Sequence, residues 1–123
     1  SEAAATAREA LEHLGLVRLV GVPVERLSEG ERRLVALARA LAGAPPLVVL
    51  DEPAAALAPA DRELVVAAVQ AAVAQGAAVL CGSADDAFGA ALVIAGAGRV
   101  RLDDGRLVLG LPRIALVGAG EAE

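Results

Sequence analysis

Four consecutive apolar residues, Leu47-Val48-Val49-Leu50, run straight into two carboxylates and a proline, Asp51-Glu52-Pro53. Four residues are too few for a buried helix. An unbroken apolar run without polar alternation predicts a strand of a parallel sheet covered on both faces. Its end then sets Asp51 and Glu52 at the carboxyl edge of the sheet, where open α/β sheets bind their ligands. Just upstream, Ser28 and Glu31 have the S-x-x-E spacing of a capping box and open a helix. Leu34, Leu37, Ala38 and Leu41 fall at i, i+3, i+4 and i+7 and give that helix one apolar face, and Gly43 with Pro45-Pro46 stops it.

The rest of the chain continues the alternation. Ala3 to Leu19 reads as a helix carrying Leu11 and Leu14 on neighbouring turns, broken by Gly15, Gly21 and Pro23. Asp61 is placed to cap a helix that runs to about Ala74 and ends at Gln75-Gly76. Ala77 to Cys81 reads as a second buried strand and Ala91 to Ala95 as a third. Beyond Gly98, Arg99-Val100-Arg101-Leu102 alternates, Asp103-Asp104-Gly105 turns, and Arg106-Leu107-Val108-Leu109 returns, a β-hairpin pattern. Ile114 to Gly120 reads as one more strand and turn. Its Gly118-Ala119-Gly120 lacks the following helix that a dinucleotide site needs. The fold expected is α/β: a mainly parallel sheet with flanking helices and a C-terminal hairpin, in a single domain over residues 1–123.

Composition narrows the function. The net charge is −5, and Phe88 is the only aromatic residue. Such a chain has neither the basic footprint nor the stacking platforms of a nucleic-acid binder. Apolar content carried by Ala, Val and Leu predicts a thin core with close helix–sheet packing. Cys81 is alone, which excludes a disulfide framework, and its neighbours Leu80 and Gly82 suggest a buried structural thiol. His13 is the only histidine and reads as a surface or half-buried helix residue. The acids Glu2, Glu9 and Glu12 with Arg8 interrupt any leader-like segment. The uncharged run from Leu64 to Ala84 contains Gln70, Gln75 and Gly76 and reads as helix, turn and strand rather than a membrane span.

The helix of Leu27-Ser28-Glu29-Gly30-Glu31-Arg32-Arg33 to Leu41, followed by Leu47 to Pro53, resembles the signature and Walker B motifs of ABC transporter ATP-binding domains. The resemblance covers roughly residues 11–108 and is most specific over residues 27–53. It implies a P-loop NTPase-like partial domain that uses ATP and Mg²⁺. By resemblance, Asp51 supports the metal and Glu52 is the catalytic base. Ser28 and Gly30, with Glu31 in the same helix start, contact the γ-phosphate of a nucleotide held by an opposing subunit. A capped helix start suits an anion, because unpaired N–H groups and the helix dipole point outward together. The resemblance further implies a partner ATPase subunit or a segment bearing Walker A, a membrane permease subunit, and a cytoplasmic location at the inner face of the membrane.

The departures from that pattern are as specific. All eleven basic residues are arginine, so no phosphate-gripping lysine lies in these residues. Glu29 and Glu31 stand where the family prefers glycine and glutamine. Ala58 replaces the D-loop aspartate and Ala84 the switch histidine, and an alanine side chain can neither donate to a phosphate nor position water. Three readings therefore stand side by side. One is an ATPase half completed by a Walker A from elsewhere, inactive alone. Another is a non-catalytic module that keeps the fold for dimerisation or docking. The third is a decayed fragment with no retained activity.

Overall fold

The computed structural model describes residues 1–94, 98–103, 106–107 and 114–119. Helix α1 (Glu2–His13) is capped by Ser1, whose Oγ accepts from the amide of Ala4. Leu14 closes it, Gly15 turns at φ +68°, and Leu16 drops fully into the core. The expected helix to Leu19 is thus two pieces, with a short 3₁₀ turn at Val17–Leu19. The left-handed glycine ends the first piece because a helix cannot pass through that conformation. His13 is the exposed last residue of α1.

Helix α2 (Glu29–Leu41) begins at Ser28 as expected and buries Leu34, Leu37 and Ala38. Strand β1 (Leu47–Asp51) follows, then helix α3 (Pro59–Ala74), β2 (Ala78–Gly82) and helix α4 (Asp86–Ile94). Asp61 does not cap α3. The helix starts at Pro59, with Ala58 at the cap position and Asp61 in the first turn, because proline pre-sets the first helical φ. Helix α4 replaces the strand expected at Ala91 to Ala95. Asp85 makes the difference: its Oδ1 accepts from the amide of Phe88 at 3.1 Å, and Phe88 and Leu92, one turn apart, bury on one face.

The hairpin forms as β3 (Gly98–Asp103) and β4 (Arg106–Leu107), paired antiparallel with Leu102 opposite Leu107. The final strand, β5 (Ile114–Ala119), inserts parallel between β2 and β3, giving the sheet order β1-β2-β5-β3-β4. The Gly-x-Gly turn expected after it ends at Gly120, outside the described residues. Three of the four pairings are parallel, so the sheet is mainly parallel, as its sequence pattern implied. No helix among the described residues is long and apolar enough to cross a membrane.

The core lies between one face of the sheet and the helices. Val48 and Leu50 of β1 and Val79 and Cys81 of β2 point into it, against Leu34, Leu37, Val65 and Val69. The other face differs from expectation. Leu47 and Val49 are 62% and 65% exposed, and Leu80 is 37% exposed. Strand β1 is covered on one face only, because α2 and α3 both pack on the same side. An apolar run cannot reveal which of its two covers lies within the chain.

Candidate functional site

The two acids leave β1 in different directions. Asp51 ends the strand, exposed, on the bare face. Glu52 then takes a left-handed backbone at φ +47°, a conformation that costs a non-glycine residue on the order of 1 kcal/mol or more. The turn is held: the amide of Glu52 donates to the carbonyl of Gly82 at 2.8 Å, carrying the β1–β2 pairing one residue past the strand.

The bend delivers the Glu52 side chain to the exit of β2. Its Oε1 accepts from the backbone amide of Ala84 at 2.8 Å, and Ser83 Oγ lies 3.4 Å from Oε2. Ser83 in turn accepts from the amide of Asp85 at 3.0 Å, and Asp85 pairs with Arg62 of α3 at 3.0 Å. A carboxylate is thereby fixed at the sheet edge by an amide, with a hydroxyl near its second oxygen. The Ala84 side chain offers nothing to a ligand, but its backbone orients Glu52.

Helix α2 meets the same loop. Ser28 Oγ accepts from the amide of Glu31 at 3.1 Å, so the cap forms. Among the described residues the Glu31 carboxylate makes no hydrogen bond, and the capping box closes on one side only. Arg33, one turn on, donates from Nη1 to the carbonyl of Glu52 at 3.4 Å and sits 3.5 Å from Glu29 on its own helix. Gly30 packs beside the loop after Glu52: a Cβ there would lie 3.4 Å from Leu57 Cδ2 and 3.9 Å from the Ala56 carbonyl. These are ordinary contacts, so space alone does not demand glycine.

The structure therefore brings Glu52, Ser83, Ala84 and Arg33 together and sets Gly30, in the first turn of the helix that Ser28 caps, beside the loop that follows Glu52. Asp51 stands apart from them, without a side-chain hydrogen bond or ion pair among the described residues. Arg33 and Ser83 were not singled out from the sequence. Ser83 had a signal, since it follows β2 as Glu52 follows β1 and so reaches the same edge. Among the described residues no cluster of three or more His, Cys, Asp or Glu could hold a metal ion. Cys81 lies in the core, and burial pushes its thiol up to about 11, an inert group rather than a nucleophile.

The family model described as ABC transporter matches residues 2–55, which end just past Glu52. The lipoprotein-releasing system ATP-binding protein LolD 2 of Caulobacter vibrioides is 47% identical over 64 residues, 52% of this chain and 28% of that protein. The thiamine import ATP-binding protein ThiQ of Cereibacter sphaeroides is 49% identical over 61 residues, 50% of this chain and 26% of that protein. Among solved structures, an ATP-binding cassette of an ABC transporter in its ADP conformation is similar at TM-score 0.57 and 33% identity, covering 66% of this chain and 32% of its own. An ABC transporter in an inward-facing conformation is similar at TM-score 0.62 and 32% identity, covering 71% of this chain and 36% of its own.

The fold is thus an α/β fragment of the P-loop NTPase kind. Residues 2–55 of the chain are similar to ABC transporter ATP-binding domains. The chain spans less than a third of each of these two curated relatives. Their names describe ATP-binding proteins of a lipoprotein-releasing and a thiamine import system, and neither supports the alternative of a non-catalytic module.

Proposed function

We propose that this chain supplies the signature-helix and Walker B portion of an ABC-type ATP-binding domain, serving a transporter once a phosphate-binding segment completes the site. One observation carries the reading. The stretch that matches the family, residues 2–55, takes in Glu52 near its end, and Glu52 is the acid that the fold bends and fixes at the carboxyl edge of a parallel sheet.

The roles follow from placement. Asp51, exposed at the strand end, is the carboxylate that would hold Mg²⁺. Such an ion is usually bound by one or two carboxylates together with substrate phosphates, so a lone acid without a protein cage fits it. Mg²⁺ when bound supplies neutralisation of phosphate charge. Glu52 orients the attacking water and accepts its proton, with Ala84 and Ser83 setting the carboxylate. Ser28 and Gly30 present the α2 start, including the amide of Glu31, to the γ-phosphate of ATP on an opposing subunit. Arg33 links that helix start to the Glu52 carbonyl, so a shift at one is felt at the other.

The missing lysine makes the reading specific: residues 1–123 form one unit that does not grip phosphate by itself. Its partners are a Walker A-bearing segment, a second ATPase subunit, and a permease that holds the assembly at the inner face of the membrane. The test is a reconstituted site. ATP hydrolysis that appears only when a Walker A-bearing partner is added, and that Glu52→Gln removes, supports the reading. Hydrolysis indifferent to Glu52→Gln refutes the role of Glu52, and a complete site without any nucleotide turnover leaves the non-catalytic docking module in its place.

A further inference from the structure

We infer that Arg62 and Asp85 are positioning residues for Glu52: their ion pair ties the start of α3 to the turn after β2, and so holds the Ala84 amide and the Ser83 hydroxyl where they orient the Glu52 carboxylate. The inference rests on the reading above, that Glu52 orients the attacking water, and names what holds that acid in place.

The left-handed backbone of Glu52, at φ +47°, is a conformation that persists only where the surroundings over-determine it. Ala84 contributes its backbone alone, so the place of its amide depends on how the turn of residues 83–85 is anchored. Asp85 anchors that turn. Its amide donates to Ser83 Oγ at 3.0 Å, its Oδ1 accepts from the amide of Phe88 at 3.1 Å, and its Oδ2 meets Arg62 Nη2 at 3.0 Å. Because Ser83 Oγ accepts from Asp85, its own proton is left to point at Oε2 of Glu52, 3.4 Å away.

Arg62 closes the circuit. Its amide donates to the carbonyl of Ala58 at 3.0 Å, which fixes it in the first turn of α3, the helix that follows Glu52 in the chain. The backbone from Glu52 to α3, the ion pair and the contacts of the β2 turn thus form one ring that starts and ends on Glu52. Two features distinguish this pair from ordinary surface ion pairs, which contribute little. Arg8–Glu12 and Arg33–Glu29 each lie within one helix, whereas Arg62–Asp85 joins two elements, and its acid is the least exposed of the three, at 22%. In addition, Arg62 Nε is buried without a hydrogen-bond partner among the described residues, an arrangement that costs free energy. Burying an unsatisfied donor is a poor route to stability, so the guanidinium is placed for Asp85 and through it for the turn. The consequence is catalytic, because a displacement of about 1 Å in a reacting group can cost on the order of 10²-fold in rate.

The experiment compares Arg62→Gln, Asp85→Asn and Arg62→Lys in the full chain. Asp85→Asn keeps an acceptor for the Phe88 amide and removes the charge that Arg62 meets, so α4 still starts. In the chain alone, hydrogen exchange at the Ala84 amide is expected to quicken about tenfold in Arg62→Gln and Asp85→Asn, toward its rate in Glu52→Ala, while the amides of β1 and β2 keep theirs. In the site completed by a Walker A-bearing partner, kcat for Mg-ATP hydrolysis falls about 10- to 100-fold with KM unchanged, and Arg62→Lys restores most of it. A residue that acts through Glu52 adds nothing once that carboxylate is gone, so Arg62→Gln leaves the residual turnover of Glu52→Gln as it is. Ala84 exchange indifferent to Arg62→Gln and Asp85→Asn overturns the inference. So does exchange that quickens alike at every amide, or an equal further loss of turnover in the Glu52→Gln background, since either result makes the pair merely structural. The two readings fail separately. Selective quickening at Ala84 in a completed site without turnover refutes the proposed function alone. Turnover that Glu52→Gln removes and Arg62→Gln spares refutes the positioning pair alone.

Discussion

The backbone amide of Ala84 donates to Oε1 of Glu52 across 2.8 Å, joining the residue after β1 to the turn after β2. A main-chain donor is kept by every residue except proline, so the orientation of Glu52 survives an alanine at position 84. Glu52→Gln keeps an acceptor for this amide and removes the base. In a completed site we expect Mg-ATP binding to persist while hydrolysis falls on the order of 10²- to 10⁴-fold, measured as phosphate release. A loss of binding with the loss of turnover would assign Glu52 to structure instead.

Ser28 and Gly30 make opposite predictions for the isolated chain. Ser28→Ala removes the oxygen that accepts from Glu31 and destabilises the fold by about 0.5–2 kcal/mol in urea unfolding. Gly30→Ala meets only ordinary contacts, and alanine is the better helix former by up to about 1 kcal/mol, so stability holds or rises. If Gly30 serves phosphate approach, that same variant impairs the completed site. Unimpaired turnover by Gly30→Ala would remove Gly30 from the nucleotide contacts.

Phe88 is 1% exposed and anchors α4 to the sheet. Truncating a buried aromatic leaves a cavity, and Phe88→Ala is expected to cost about 3–5 kcal/mol. A thermal shift of less than a few degrees would mean that α4 does not belong to the cooperative core.

Cys81 gives a pH test. Its thiol is raised from 9.0 to about 11 by burial, so the folded state keeps the proton that the unfolded chain releases. The contribution is fully present below pH 9 and is lost as pH rises through about 11. Stability of the parent should fall across that window more steeply than that of Cys81→Ala, and equal slopes would contradict the assignment.

The helix–strand alternation, the capped start at Ser28 and the stop at Gln75-Gly76 were all legible in the sequence, because each rests on local chemistry. The strand expected at Ala91 to Ala95 failed because an apolar run fits either element, and only the Asp85 cap, ten residues upstream of Ala95, decides for a helix. The central place of β5 could not be read at all, since strand order is a long-range property. At the site, the identities of Asp51 and Glu52 were legible, whereas Arg33 and Ser83 enter through contacts 19 and 31 residues apart in sequence.

The central claim is that this chain holds one part of a nucleotide site and not its phosphate grip. Calorimetric titration with Mg-ATP, on the chain alone and then on its complex with a Walker A-bearing partner, tests it most directly. The account predicts no heat of binding for the chain alone up to millimolar nucleotide and saturable binding by the complex. Micromolar binding by the chain alone would show phosphate gripped without a lysine, and would contradict it.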